Sequence, residues 1–364
     1  MEYSHPEIII NDREVSLGEI LLQQCEARSE FETSTFRFIR QWLSHHDDFH
    51  LQTSGSTGVP KEIRIRRSQM EANASSTIKA LRLSSEDSAL VCLDTNFIAG
   101  KMMLVRAFMA GMRIIARDPS ANPLHNVGNH PISFTAMVPL QVEHLLKTVE
   151  KNRLNSIRNV LVGGAAVSEE IIHLVQDMEC HVICTYGMTE TISHIALRRV
   201  NGPRKQDAFE TLPGVTVEAD QRGCLIVNAF YLDRPLVTND LVTVINTTSF
   251  IWLGRYDNVI NSGGIKVSPE AVEQMLERLK PALNLHGRFV ISGINDRRLG
   301  ERVVWVIEGT ALDIERPQRL LEFVYGNLPK FHAPTEIIFI PAFPETKTGK
   351  INRTAIKLLL NSRV

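Results

Sequence analysis

No two of the five cysteines (Cys25, Cys92, Cys180, Cys184, Cys224) form a CxxC pair, and their number is odd. Neither a disulfide framework nor a paired-cysteine zinc site is expected. Cys180 and Cys184 could share a helix face, but Val182 and Ile183 between them read as a buried strand, where free cysteine acts as a small apolar residue. The chain has no uninterrupted apolar run approaching the roughly 20 residues that span a bilayer. Met1–Asn11 lacks the basic start and apolar core of a secretory signal. Charge of one sign is not in excess either: 40 Lys and Arg nearly cancel 41 Asp and Glu, a net charge of −1. That balance speaks against a general nucleic-acid binder or a membrane-surface protein. Repeats and low-complexity tracts are also missing. With 43% hydrophobic and 22% charged residues, disorder, collagen and coiled coil are excluded. A soluble, cytoplasmic protein is expected, its 364 residues dividing into two domains or three.

From about residue 68 helical and strand patterns alternate. Gln69–Leu81 reads as a helix, Ala89–Leu93 as a strand, Lys101–Ala110 as a helix and Arg113–Ala116 as a strand. Phe134–Val138, Asn159–Val162 and His181–Cys184 continue the strands, with helices expected over Leu140–Glu150 and Ser168–Met178. This alternation predicts an α/β protein with βαβ units and a largely buried parallel sheet. After Glu210 short strands with tight turns (Val215–Glu218, Leu225–Asn228, Leu241–Val244, Phe250–Leu253) suggest a small β subdomain. From Ser268, helices Pro269–Leu279 and Pro317–Gly326, strands Arg288–Ser292, Val303–Glu308 and Glu336–Ile340, and a terminal helix suggest a small α+β domain. The run His45-His46-Asp47-Asp48-Phe49-His50 looks like a metal cluster. Adjacent ligands converge poorly without i, i+4 spacing, so it is read as a solvated loop.

The most informative stretch is Thr53-Ser54-Gly55-Ser56-Thr57-Gly58-Val59-Pro60-Lys61. Consecutive small residues let backbone N–H groups converge on an anion, while the hydroxyls and one ammonium add donors and charge. A Walker A loop is excluded at two positions. Pro60 stands where the second glycine is needed, and Glu62 where the Mg²⁺-binding hydroxyl would be.

Thr53–Lys61 resembles the phosphate loop of the adenylate-forming superfamily, which includes acyl-CoA synthetases, adenylation domains and luciferases. Further matches follow in order. Val162-Gly163-Gly164-Ala165 resembles the segment lining the adenine pocket, and Thr185-Tyr186-Gly187-Met188-Thr189-Glu190-Thr191 the next signature. The resemblance implies that Tyr186 stacks on adenine beside Gly187, Thr189 contacts the α-phosphate and Glu190 holds Mg²⁺. Thr238-Asn239-Asp240 stands where the family has Thr-Gly-Asp, with Asp240 on the ribose hydroxyls. Gly254-Arg255-Tyr256-Asp257 and Ser262-Gly263-Gly264 resemble the junction of the family's two domains. Arg255 would reach ribose or phosphates, Asp257 would be the hinge, and Gly263 and Gly264 would face the CoA side. In Pro344-Glu345-Thr346-Lys347-Thr348-Gly349-Lys350, Lys350 matches the mobile catalytic lysine. The implied division is a large ATP- and acid-binding domain, residues 1–254, and a small mobile one, residues 255–364. The family has a longer segment before the phosphate loop, so a compact, N-terminally shortened member is expected.

The implied activity is ATP-dependent activation of a small-molecule carboxylic acid as an acyl-adenylate, followed by transfer to CoA. On the helix after Gly100, Met102, Met103, Met109 and Ala110 form an apolar stripe that contains Arg106. An arginine there demands an anion or an ion-pair partner. Val160–Ala165, Thr185–Leu197 and Gly254–Gly264, with that arginine, are similar to the o-succinylbenzoate–CoA ligases of menaquinone biosynthesis. That resemblance implies that Arg106 grips the aromatic carboxylate while the succinyl one is activated. Thr191 and Ser193 would be neutral contacts, and Phe97 an apolar gate. Three alternatives stand beside it. They are another aryl- or acyl-CoA ligase, an enzyme adenylating an acid for a carrier protein (with Asp94 as an amine partner), and a nucleotide-binding module without catalysis.

Overall fold

In the computed structural model, the described residues are 5–52, 62–125, 127–283, 285, 287–310, 317–329, 331–345 and 351–362. Thirteen strands form one mixed sheet. Its centre is parallel, in the order Glu7–Ile10, Arg113–Ala116, Ser88–Val91, Phe134–Met137, Asn159–Val162 and His181–Gly187. Alternate residues feed opposite faces of these strands. Val160 and Val162 pack on one face and Leu161 on the other, and Val182 and Cys184 oppose Ile183 in the same way. Helices Glu30–Leu43, Arg67–Leu81 and Ile98–Ala110 cover the face of Leu161 and Ile183. Helices Pro139–Leu146, Lys151–Asn155 and Glu169–Leu174 cover that of Val160 and Val162. The expected helix Leu140–Glu150 breaks at Thr148-Val149, two β-branched residues that crowd a helical turn. The short strands after Glu210 do not form a separate layer. His194–Arg199 pairs antiparallel with His181–Gly187 and carries Phe209–Thr211, Ser249–Arg255, Leu236–Asn246, Cys224–Ala229 and Val215–Ala219 on the same sheet.

Strands Glu7–Ile10 and Arg13–Ser16 complete the opposite edge. Ile8 and Ile10 enter one core and Ile9 the other, so this strand is buried on both faces beside Arg113–Ala116. The His45–His50 run is not all solvated loop: strand Asp48–Gln52 buries Phe49 and Leu51 in the core, while Asp48 and His50 on its other side pair with Arg64 at 2.7 Å and Glu62 at 2.9 Å. Among the described residues no group of three or more His, Cys, Asp or Glu could hold a metal ion. No helix among them is long and apolar enough to cross a membrane.

Beyond Arg255 a five-stranded sheet begins, comprising Ile260–Ser262, Ile265–Val267, Phe289–Asp296, Gly300–Glu308 and Glu336–Ile340. Val272, Leu276, Leu320 and Val324 of helices Pro269–Leu283 and Pro317–Asn327 pack with Ile291, Val303 and Trp305. Ile356 and Leu360 of helix Arg353–Asn361 pack on the other face with Val290, Val304 and Val306. Arg353 donates to Glu273, whose carboxylate also accepts the Ile291 N–H at 2.6 Å. The first turn of that helix is therefore tied by an ion pair to helix Pro269–Leu283 and, through Glu273, to strand Phe289–Asp296.

Candidate active site

Parallel α/β sheets bind ligands beyond the carboxyl ends of their strands. Four strand ends meet at this edge: the loop after Ser88–Val91 that runs into Phe97, Val138, Gly163-Gly164-Ala165, and the Gly187–Ser193 turn. Gly164 and Ala165 are exposed there, next to the strand that carries Tyr186. Gly187 stands opposite His194 in the neighbouring strand. A Cβ on Gly187 would lie 2.3 Å from the Ser193 carbonyl oxygen and 2.4 Å from His194 Cα, so only glycine permits this approach.

The Tyr186 hydroxyl donates to Asp240 Oδ2 at 2.6 Å, and its ring packs on Phe250 and Phe209 with centroids 5.1 and 5.8 Å away. Burial, reinforced by the Asp240 charge, pushes the phenol well above its ordinary value, so it stays a neutral donor. Asp240 is buried, also accepts from Trp252 Nε1 at 3.3 Å and faces Arg255 at 3.6 Å. Arg255 donates onward to Asp257 Oδ2 at 2.9 Å. Tyr186, Asp240, Arg255 and Asp257 thus form one continuous polar line. Asn239, noted in the sequence only as a replacement for glycine, donates to Asp257 at 3.1 Å and accepts from Arg222 at 3.1 Å. Its contact with Asp257 depends on pairing between strands, which residue spacing does not reveal. Gly263 and Gly264 are exposed, with φ of +59° and +85°, and make the two-residue turn between Ile260–Ser262 and Ile265–Val267. Positive φ at both central positions is the geometry that hairpin turns of this length need.

Thr189 and Glu190 lie in a single 3₁₀ turn. The Glu190 side chain is exposed and has no ion pair with another described residue. One free hard-oxygen ligand fits Mg²⁺, which keeps several waters and takes one or two carboxylates alongside substrate phosphates. Thr191 is fully buried, and its hydroxyl donates to the carbonyls of Met188 at 2.9 Å and Ser193 at 2.7 Å while accepting the Met188 N–H. Its hydroxyl is thus engaged inside the turn. It also supports Ile192, whose φ of +70° is an outlier for a β-branched residue and turns the chain toward Ser193.

Arg106 and Ser193 are brought together. Arg106 Nη2 donates to Ser193 Oγ at 2.9 Å, Asn73 Oδ1 at 3.3 Å and His194 Nδ1 at 3.4 Å. The arginine is 2% exposed, lacks an ion pair among the described residues, and leaves Nε without a partner. Burial pushes the guanidinium down to about 9, with Tyr231 opposing, so it is charged at neutral pH. The helix around it, Ile98–Ala110, is buried on all sides from Gly100 to Phe108, rather than along one stripe, and Met109 is exposed. Phe97 is 48% exposed at the start of this helix, about 13 Å along the axis from Arg106. Asp94 accepts the Asn96 N–H in its own turn, and Lys101 donates to the carbonyls of Thr95 and Asn96. Thr53, Ser54, Gly55, Ser56, Thr57, Gly58 and Lys61, and Lys350, lie outside the described residues.

His194 Nδ1 accepts from Arg106, so Nε2 carries the proton toward Thr77 Oγ1 at 2.9 Å. Burial first, and the Arg106 charge second, hold this imidazole well below its ordinary value. As pH falls below the unfolded value of about 6.5, the unfolded chain takes up a proton that the native one refuses, so stability drops by about 1.4 kcal/mol per pH unit. Denaturant melts between pH 7.5 and 5 are expected to show that slope, and His194→Gln to remove its share. An unchanged slope in the variant would place the effect elsewhere.

The fold is that of the adenylate-forming enzymes, a mixed α/β sheet covered by helices on both faces. The chain belongs to the AMP-binding enzyme family, which matches residues 11–221. It is 35% identical to the solved acyl-CoA synthetase (AMP-forming)/AMP-acid ligase II-like protein from Dyadobacter fermentans, covering 94% of this chain and 97% of that one with a TM-score of 0.63. It is 28% identical to a 2-succinylbenzoate–CoA ligase of Escherichia coli, over 84% of this chain and 67% of that protein. An indoleacetate–CoA ligase of Aromatoleum aromaticum is 26% identical, over 85% of this chain and 66% of that protein. The chain thus spans about two thirds of the length of these two ligases.

Proposed function

We propose that this enzyme is an AMP-forming carboxylic acid–CoA ligase acting on o-succinylbenzoate, the reaction used in menaquinone biosynthesis. The observation that carries the acid is Arg106, a buried cation without a carboxylate partner, whose contact His194 lies one strand from Gly187 of the nucleotide segment. In the first half-reaction a carboxylate oxygen attacks the α-phosphorus of ATP and pyrophosphate leaves. In the second, the CoA sulfur attacks the acyl carbon, AMP leaves and the thiol proton is released. Such transfer rests on positioning and charge neutralisation.

The 53–61 loop holds the departing phosphates. Gly163, Gly164 and Ala165 edge the adenine beside Tyr186, Asp240 and Arg255 hold the ribose, and Thr189 contacts the α-phosphate. Glu190 would hold Mg²⁺, which neutralises phosphate charge when bound. Lys350 lies between carboxylate and α-phosphate, and the small domain, residues 255–364, turns about Asp257 to bring Gly263 and Gly264 to the CoA side. A second reading is an aryl-CoA ligase for a monocarboxylate, favoured by the likeness to the indoleacetate ligase. Pyrophosphate release over a panel of acids separates the two. We expect turnover with o-succinylbenzoate only, and thioester only when CoA is added. Preference for indoleacetate would support the second reading, product on a carrier protein instead of CoA would move the enzyme to another class, and no release with any acid would overturn all three.

A further inference from the structure

Among the described residues, none that touches the Arg106 side chain carries a negative charge. Asn73, fully buried, offers Oδ1, while its Nδ2 donates to the His194 carbonyl at 3.0 Å and to the Tyr231 hydroxyl at 3.2 Å. His194 is neutral and fixed through Thr77, whose hydroxyl donates back to the Asn73 carbonyl at 3.2 Å. Gln69 Nε2 donates to the Tyr231 carbonyl at 3.0 Å and anchors the far side. The guanidinium is therefore oriented by dipoles that are themselves oriented, at a position where the nearly isosteric aspartate would have neutralised it.

We propose that Asn73 is a specificity-determining residue, holding Arg106 without neutralising it so that the charge is reserved for a second carboxylate on the acid substrate. This rests on the reading of Arg106 as the contact for that carboxylate. An acid without the second carboxylate then leaves a desolvated cation unpaired, so selectivity comes from a penalty on the wrong substrate as much as from attraction to the right one. Asn73 touches neither nucleotide nor reacting carboxylate in this scheme. It acts through Arg106.

The test compares kcat/KM for o-succinylbenzoate and for 4-oxo-4-phenylbutanoate, the same acid without its aromatic carboxylate. In the wild type the ratio is expected to be roughly 10- to 100-fold in favour of the dicarboxylate. Asn73→Asp supplies an internal counter-ion and is expected to bring the ratio to about one or invert it, with KM for ATP unchanged. Asn73→Ala loosens binding but leaves the cation unpaired, so it keeps the preference. A merely structural role would move both acids together and leave the ratio alone. Should Asn73→Asp fail to fold, as judged by thermal melting and ATP binding, Ser193→Asp brings the same charge from a less buried side. A folded aspartate variant with the wild-type ratio overturns the proposal. A wild-type ratio near one would instead overturn the reading of Arg106.

Discussion

Lys350→Ala is expected to abolish acyl-adenylate formation, by about 10²-fold or more, yet to leave thioester formation from preformed acyl-AMP within a few-fold of wild type. The asymmetry follows from where the lysine is needed. In the proposed scheme it would neutralise charge between two anions only while phosphorus is attacked, and in the second step the CoA thiol would occupy that space. The flanks of residues 346–350 belong to the small sheet. Glu345 bridges to Ile351, the Asn352 N–H donates to the Pro344 carbonyl at 2.8 Å, Arg288 pairs with Glu345, and Arg353 pairs with Glu273. The described flanks on either side of it, Glu345 and Ile351, are therefore held on the small sheet's domain. Separate assays of pyrophosphate exchange and of CoA consumption from synthetic acyl-AMP measure the two steps, and equal losses in both would sink the swinging arrangement.

Arg106→Met is the second large effect expected. It keeps length and apolar bulk but removes the cation, so the second carboxylate would be buried against neutral dipoles. A charge-assisted hydrogen bond of about 1.5–3 kcal/mol is lost, raising KM for o-succinylbenzoate roughly 10- to 150-fold. KM for ATP should not follow, because the Tyr186–Asp240–Arg255 line does not touch this side chain. Parallel increases in both constants would show that Arg106 supports the fold of the whole edge and not the acid alone.

Much of this arrangement was legible from residue types. Asn159–Val162 and Glu336–Ile340 have the predicted bounds, because short apolar runs between helical stretches have few alternatives. The first fifty residues were less readable, although Ile8-Ile9-Ile10 is a signal for a doubly buried strand. That strand is buried through its parallel partner Arg113–Ala116, a hundred residues away. The short strands after Glu210 had correct local character, but their union with the parallel sheet is decided by the pairing of His194–Arg199 with His181–Gly187. Thr191 shows the converse. Its type suited a substrate contact, and only the 3₁₀ turn reveals that its hydroxyl is already engaged.

The order of glycines, hydroxyls, carboxylates and lysines along the chain carried the resemblance to the adenylate-forming enzymes, and with it the expectation that an adenine nucleotide and an activated acid are handled here. Each of those groups carries its chemistry locally, in backbone freedom, charge or a ring face. Which charges are spent and which are left free was decided by the tertiary structure alone. Asp257 is engaged by Asn239 and Arg255, whereas Arg106 donates, among the described residues, to the neutral Asn73, Ser193 and His194. Burial and partner geometry set the worth of a charge, and both arise from contacts between segments far apart in the sequence.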